Sequence, residues 1–253
     1  MRILVFGLPG SGKSFFSKEL IKYLGDNVEY LNGDEIRKRF DDWDFSIEGR
    51  TRQAQRILDL SLEAEKNGKY VVMDFVCPTN SLRYLIKADI HVYMNRKPVR
   101  DYPDTTSLFQ IPFLPNYTVK EDTDTMQVIS NIVYDVRRDE FDPKKPTALM
   151  IGRYQPFHAG HKALFLKALE KHGQVCIAIR DMPRGDNNPY NAEEVSKRIE
   201  QELINYVGKY IIEIVPNIVD VVYGRDVGWT VSKIDLPPEI EAISATKIRE
   251  GVL

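Results

Sequence analysis

The chain has 253 residues, 43% hydrophobic and 28% charged, the balance of a globular protein long enough for one large domain or two small ones. Its 35 basic and 37 acidic residues leave a net charge of -2, so no global field advertises nucleic acid or an anionic membrane as partner. No apolar run approaches the roughly 20 residues of a membrane helix, and the opening MRILVFG is too short for a signal peptide, so a cytoplasmic protein is expected.

In chain order, residues 3–6 read as a strand, followed by a glycine-rich turn and a helix over 15–24. Strands are expected at 28–31, 70–75 and 90–94, separated by helical stretches such as 49–67, and that alternation implies a parallel sheet. Residues 98–117 carry several prolines and no period, so a loop or lid is expected there rather than a core element. A helix over 126–138 would close the first domain, and Asp-Pro-Lys-Lys-Pro at 142–146 reads as a linker. Beyond it, strands at 148–151, 174–179 and 210–216 alternate with helices in a second, smaller unit. The fold class is therefore expected to be α/β, two doubly wound parallel-sheet domains at 1–141 and 147–253. Cys77 and Cys176 lie in apolar, strand-like segments without metal-ligand spacing and are expected to be buried, reduced thiols. His91, inside an apolar strand, and His172, near a helix end, read as structural.

Gly7-Leu-Pro-Gly-Ser-Gly-Lys-Ser14 fits G-x-x-x-x-G-K-[ST] between a strand and a helix. Gly7, Pro9, Gly10, Ser11 and Gly12 form a loop whose backbone can turn toward phosphates, Lys13 reaches the β and γ oxygens, and Ser14 holds magnesium. ATP and Mg2+ are the implied cofactors. Asp74, ending an apolar strand, is a Walker-B-like candidate for holding the ion through water, with a plain turn cap as the competing reading. The segment Leu31-Asn-Gly-Asp-Glu-Ile-Arg37, then Phe45-Ser46, Arg50 and Arg56, together with the P-loop resembles adenylylsulfate (APS) kinases over the first third of the chain. The resemblance implies a P-loop kinase fold in which Asp34 lies opposite the γ-phosphate and orients or deprotonates the accepting hydroxyl. It also implies that Arg37, Phe45, Ser46 and Arg50 surround the acceptor, with the arginines on its anionic group. Arg52 and Gln53 stand where that family carries Glu-Asn, and its lid sequence has no counterpart after Met94. Arg96, Lys97 and Arg100 are candidates for a phosphate clamp or for a solvated basic loop.

Gly152-Arg-Tyr-Gln-Pro-Phe-His-Ala-Gly-His161 follows a strand and precedes a helix, and Ile243-Ser-Ala-Thr-Lys-Ile-Arg249 opens the last one. The pair resembles the HxGH nucleotidyltransferase superfamily, which includes the nicotinamide mononucleotide (NMN) adenylyltransferases and small cytidylyltransferases, across most of residues 147–253. It implies a small Rossmann-like domain using ATP or CTP. His158 and His161 are suited to donate to α-phosphate oxygens as charge builds there, and Gly160 leaves room for the nucleotide. Ser244, Thr246, Lys247 and Arg249 suit the phosphates that leave as pyrophosphate. Gly152, Arg153 and Tyr154 belong to the same nucleotide motif. Asp226 and Trp229 are candidates for nucleoside recognition, a structural turn with a core tryptophan being the alternative. Arg153, Arg180 and the 186–191 loop are candidates for contacts to the acceptor.

The combined expectation is a bifunctional kinase and nucleotidyltransferase of small molecules, with no nucleic acid or membrane partner and a homo-oligomer left open. Competing readings are a PAPS synthase-type adenylylsulfate kinase with sulfate adenylyltransferase, a nicotinamide riboside kinase with NMN adenylyltransferase, a catalytically silent nucleotide sensor, and nucleic-acid end processing, which the charge balance and the lack of an extended basic, aromatic-rich pattern disfavour.

Overall fold

The computed structural model describes residues 1–97, 102–222, 228, 230–241 and 243–249. The chain divides into two compact units, Met1–Ile129 and Ser130–Leu253. The division falls inside helix α6 (Thr125–Arg137), upstream of the proline- and lysine-rich segment 142–146. That segment is tethered within the second unit: the Gln174 side-chain amide donates to the carbonyl oxygens of Asp142 (2.7 Å) and Lys145 (3.3 Å) and to the Thr147 hydroxyl (2.7 Å).

In the first unit, β1 (Arg2–Phe6), β2 (Val28–Asn32), β3 (Tyr70–Asp74), β4 (Ile90–Met94) and β5 (Tyr117–Val119) pair in parallel, in the order β2-β3-β1-β4-β5. Ile3, Leu4, Val5 and Phe6 are fully buried, as a central parallel strand covered on both faces requires. Leu4, Phe6, Val71 and Met73 face a core shared with Ile36, Ala54, Ile57 and Ile86. The helices are α1 (Lys13–Leu24), α2 (Gly33–Arg39), α3 (Ile47–Lys66), α4 (Asn80–Ile86) and α5 (Pro103–Leu108). α3 buries Gln53, Ala54, Ile57, Ser61 and Ala64 at three- and four-residue spacing, and its Ser46 cap accepts from Gly49 N–H. The strand order turns at β1, and in such a sheet ligands bind outside the carboxyl ends of the strands at the turn.

The stretch expected to be a loop without core elements differs in two respects. It contains α5, and it runs into β5, whose Val119 is fully buried. Three residues are too few to display a period, and pairing to β4 rather than local pattern defines this strand.

In the second unit, β6 (Ala148–Gly152), β7 (Val175–Arg180) and β8 (Tyr210–Val215) form a parallel sheet in consecutive order. Its helices are α7 (Ala159–His172), α8 (Ala192–Glu202), α9 (Pro238–Glu241) and α10 (Ala245–Arg249). Val175, Ile177, Ile179, Phe165, Val195, Ile199 and Tyr210 are buried. α8 opens with a capping box: Asn191 Oδ1 accepts from Glu194 N–H (2.8 Å), and Glu194 Oε2 accepts from Asn191 N–H (2.8 Å). Both cysteines are free, but only Cys77 is fully buried. Cys176 is half-buried, and its register partner on β6, Leu149, lies with Ile151 on the exposed face of that strand. No helix among the described residues is long and apolar enough to cross a membrane.

Candidate active sites

The residues that follow β1, β2 and β3 line a cavity of about 760 Å³. Lys13, Ser14, Asp34, Arg37, Phe45, Arg50 and Asp74 all line it, as do Pro9, Gly10 and Gly12 of the P-loop. Gly7 and Ser11 do not; Gly7 passes so close to β4 that a Cβ there would lie 2.5 Å from the Met94 carbonyl oxygen. Ser11 closes the loop through its N–H, which donates to the Leu8 carbonyl oxygen (3.2 Å). Lys13 Nζ donates to the same carbonyl (3.0 Å). Burial lowers its pKa, against the pull of the Asp74 and Asp34 carboxylates.

Asp74 is 2% exposed and accepts from the Tyr30 hydroxyl (2.8 Å) and from Asn32 Nδ2 (3.0 Å). Asn32 Nδ2 also lies 3.5 Å from Ser14 Oγ. Burial and the adjacent carboxylate hold the Tyr30 phenol well above its usual pKa. Sequence reasoning missed Tyr30 and Asn32, although their i, i+2 spacing on β2 puts both on one face of that strand. A single carboxylate beside a P-loop hydroxyl fits Mg2+, which keeps much of its water and takes phosphate oxygens rather than an all-protein cage. Among the described residues, no group of three or more His, Cys, Asp or Glu side chains could form such a cage.

The opposite wall is built around Phe45, with the Arg37 guanidinium 4.6 Å and the Arg50 guanidinium 5.6 Å from its ring centre. Arg37 is 6% exposed and donates through Nη1 to the carbonyl oxygens of Asp42 and Asp44, both at 2.9 Å. Arg50 donates to the Phe45 carbonyl oxygen (2.9 Å) and to Thr105 Oγ1 of α5 (3.0 Å). Asp42 accepts from Arg52 (2.8 Å) and Arg56 (2.7 Å), which hold its carboxyl well below the usual range and brace the loop that carries Phe45. Ser46 stands off the cavity as the α3 cap. Gln53, which has no assigned role in the sequence reading, lines the cavity and donates to the Gly33 carbonyl oxygen (2.9 Å). Gly33 is required by crowding: a Cβ there would lie 2.6 Å from the Phe75 Cβ. Arg96 Nη1 lies 3.6 Å from where a Gly12 Cβ would be, and the side chain is anchored to the Lys120 carbonyl oxygen (3.1 Å) and Thr125 Oγ1 (2.8 Å). Lys97 is tied by its backbone N–H to Glu121 (2.6 Å), and Arg100 lies outside the described residues.

In the second unit, His158 at the end of the β6–α7 loop and His161 in the first turn of α7 stack their rings at 3.8 Å between centres. His158 caps α7 with Nδ1, which accepts from Gly160 N–H (3.1 Å). In the neutral ring that bond leaves the proton on Nε2, which is then the donor. A Cβ on Gly160 would meet the His158 ring at 3.0 Å, so this glycine serves the imidazole as well as any ligand. Tyr154 and Phe157 bed the His161 ring, 5.0 and 5.5 Å away. His161 Nδ1 is buried without a hydrogen-bond partner, and burial together with His158 pushes the pKa of His161 down to about 4. Burial also lowers the pKa of His158.

Tyr154 is buried and donates to the Met150 carbonyl oxygen (3.0 Å), and its ring covers Gly152, so these two residues build the floor of the loop. Gln155 exchanges hydrogen bonds with Tyr190, through Nε2 to the carbonyl oxygen (2.8 Å) and Oε1 from N–H (3.1 Å). Arg249 Nη1 donates to the Gln155 carbonyl oxygen (2.5 Å), and Nη2 reaches Thr246 Oγ1 at 3.2 Å. The two motifs, distant in sequence, thus meet at one loop. Ser244 accepts from Lys247 N–H (3.2 Å) as the cap of α10, and the side chains of Thr246 and Lys247 are exposed. Arg153 lies 3.4 Å from Asn188 Oδ1, and Arg180 bonds Asn217. Asp226 and Trp229 lie outside the described residues.

Residues 1–103 match the family model described as adenylylsulphate kinase. No curated protein matches the chain. Among solved structures, the APS kinase CysC of Mycobacterium tuberculosis in complex with AMPPNP and APS is 20% identical, over 52% of this chain and 94% of that one, with a TM-score of 0.44. Shikimate kinase from Aquifex aeolicus is 19% identical, over 54% and 96%, with a TM-score of 0.40. A chain of the Pnkp1/Rnl/Hen1 RNA repair complex is 16% identical, over 99% and 83%, with a TM-score of 0.33. The first unit is therefore an APS-kinase-like, ATP-binding P-loop domain of a kinase type.

Proposed function

We propose that the chain is a bifunctional enzyme, a kinase within residues 1–141 and a nucleotidyltransferase within 147–253. The kinase transfers the γ-phosphoryl group of ATP to a hydroxyl of a small, nucleotide-like molecule. The observation that carries this half is the convergence of Lys13, Ser14, Asp34, Asp74 and the Arg37–Phe45–Arg50 wall on one cavity. Lys13 neutralises charge on the phosphates, and Asp34 orients the acceptor hydroxyl and takes its proton as the new P–O bond forms and ADP leaves. Phe45 offers a flat apolar face to a ring, and the two guanidinium groups flank it. Ser14 and Asp74 would hold Mg2+, which shields the phosphate charge when bound.

The second half transfers a nucleotidyl group from ATP or CTP to a phosphate-bearing acceptor. An acceptor oxygen attacks the α-phosphate while the bond to the leaving pyrophosphate breaks. His158 Nε2, made a donor by the Gly160 bond, supports this role, because it can hydrogen-bond an α-phosphate oxygen without a proton being transferred. Arg249 is close enough to the same loop to neutralise the leaving phosphates.

The test is to measure ADP formation and pyrophosphate release in parallel for the wild type, Lys13→Ala and His161→Ala, with candidate acceptors chosen by thermal shift. Each variant should abolish one product and spare the other. Nucleotide binding with neither product would sink the enzyme reading and leave the silent sensor. Pyrophosphate release that needs sulfate would favour the PAPS synthase-type alternative, and release that needs NMN the NAD-forming one.

A further inference from the structure

We propose that Asn32 is a positioning residue of the P-loop site, setting the distance between Asp34 and the Ser14–Asp74 pair through one planar amide. The proposal rests on the kinase reading given above. Asn32 ends β2 and is the register partner of Asp74 on β3. Its Oδ1 accepts from the backbone N–H groups of Asp34 (3.1 Å) and Glu35 (3.2 Å). Its Nδ2 donates to Asp74 Oδ2 (3.0 Å) and lies 3.3 Å from the Tyr30 hydroxyl and 3.5 Å from Ser14 Oγ.

The orientation of the amide is forced. A carboxylate only accepts and a backbone N–H only donates, so a flipped amide would oppose oxygen to oxygen and N–H to N–H. The amide is also rigid, so its two ends move together. Asp74 Oδ2 receives both Asn32 Nδ2 and the Tyr30 hydroxyl, and these two bonds fix the rotation of the carboxylate. One side chain thereby links the P-loop, β3 and the first turn of α2, where Asp34 sits.

Helix capping does not explain the choice of asparagine. Asp and Ser cap a helix as well as Asn does. Neither presents an N–H to Asp74: serine is too short, and aspartate would set a second carboxylate where the amide now donates, which like-charge repulsion disfavours.

The experiment compares the wild type with Asn32→Asp, Asn32→Ser and Tyr30→Phe, using Lys13→Ala as the control. AMPPNP is titrated calorimetrically with and without Mg2+, and the melting temperature is followed with Mg2+ alone. Both Asn32 variants keep the cap, and each is expected to bind AMPPNP with Mg2+ about tenfold more weakly than the wild type. Asn32→Asp is also expected to gain a rise in melting temperature from Mg2+ alone, because a carboxylate pair attracts the cation. Tyr30→Phe removes one bond to Asp74 without touching the cap, and about a threefold weakening is expected. Should Asn32→Asp not fold, Asn32→Ser and Tyr30→Phe decide the matter. Variants that bind AMPPNP as the wild type does, with the same Mg2+ dependence, would overturn the proposal and leave the kinase reading standing. A wild type that binds AMPPNP no better than Lys13→Ala would overturn both.

Discussion

The two candidate sites surround their polar side chains in opposite ways. In the first unit the functional side chains are charged and are held by hydrogen bonds to one another and to loop carbonyls, as Asp74 is by Tyr30 and Asn32 and Arg37 is by the 42–44 backbone. In the second unit the imidazoles rest on an aromatic bed, and one ring nitrogen of His161 has no partner at all. The first arrangement preserves charge under burial by supplying partners. The second uses burial to remove charge, so that the rings stay neutral donors at physiological pH. A lysine and carboxylates suit the transfer of a highly charged γ-phosphoryl group, whereas neutral donors suit an α-phosphate, which carries less charge between its ester and anhydride linkages.

The comparison can be broken most directly by crossing the two lesions. Lys13→Ala should lower ADP formation by about a thousandfold and leave pyrophosphate release at the wild-type rate. His161→Ala should lower pyrophosphate release by about a hundredfold and spare ADP formation. If either substitution depressed both products equally in a folded protein, the sites would not be separate.

A pH titration sharpens the contrast in charge. Burial, with His158 beside it, pushes the pKa of His161 down to about 4 from the ordinary imidazole value of 6.5, so between these values the unfolded chain binds more protons. The stability this contributes is full above about pH 6.5 and is lost as the pH falls toward 4; it amounts to no more than about 3 kcal/mol. Urea unfolding of wild type and His161→Phe at pH 7 and pH 5 checks it. An unchanged difference between the two proteins across that interval would refute neutral burial.

Smaller effects test how each site is supported. Gly33→Ala should cost about 1–3 kcal/mol, because its Cβ must displace Phe75 beside the cavity, and a shift of the urea midpoint would report it. Asn191→Ala removes an exposed cap of α8 and should cost about 1 kcal/mol, again read from the urea midpoint, with pyrophosphate release nearly unchanged. A large loss of pyrophosphate release instead would mean that the neighbouring Tyr190–Gln155 exchange positions the histidine loop.

Much of this was legible beforehand, for identifiable reasons. Gly7 to Ser14 could be read because phosphate binding restricts both residue type and spacing, and α3 because twenty residues carry a clear helical period. α2 and α4 were not read, being one to two turns long, too short for a period to stand out. Ser46, expected beside the acceptor, caps α3, a role that looks identical in sequence. Tyr30, Asn32 and Gln53 escaped because nothing local marks a polar side chain as facing a site rather than solvent.

The amino-acid sequence by itself determined the alternation of strands and helices, the α/β class, the phosphate loop and the paired histidines, since each depends on short-range pattern and stereochemistry. Only the tertiary structure decided that Asn32 meets Asp74, that Arg249 reaches the Gln155 carbonyl 94 residues away, and that His161 Nδ1 is buried without a hydrogen-bond partner. Those facts depend on sheet register and on burial, and both are set by the packing of segments remote in the chain.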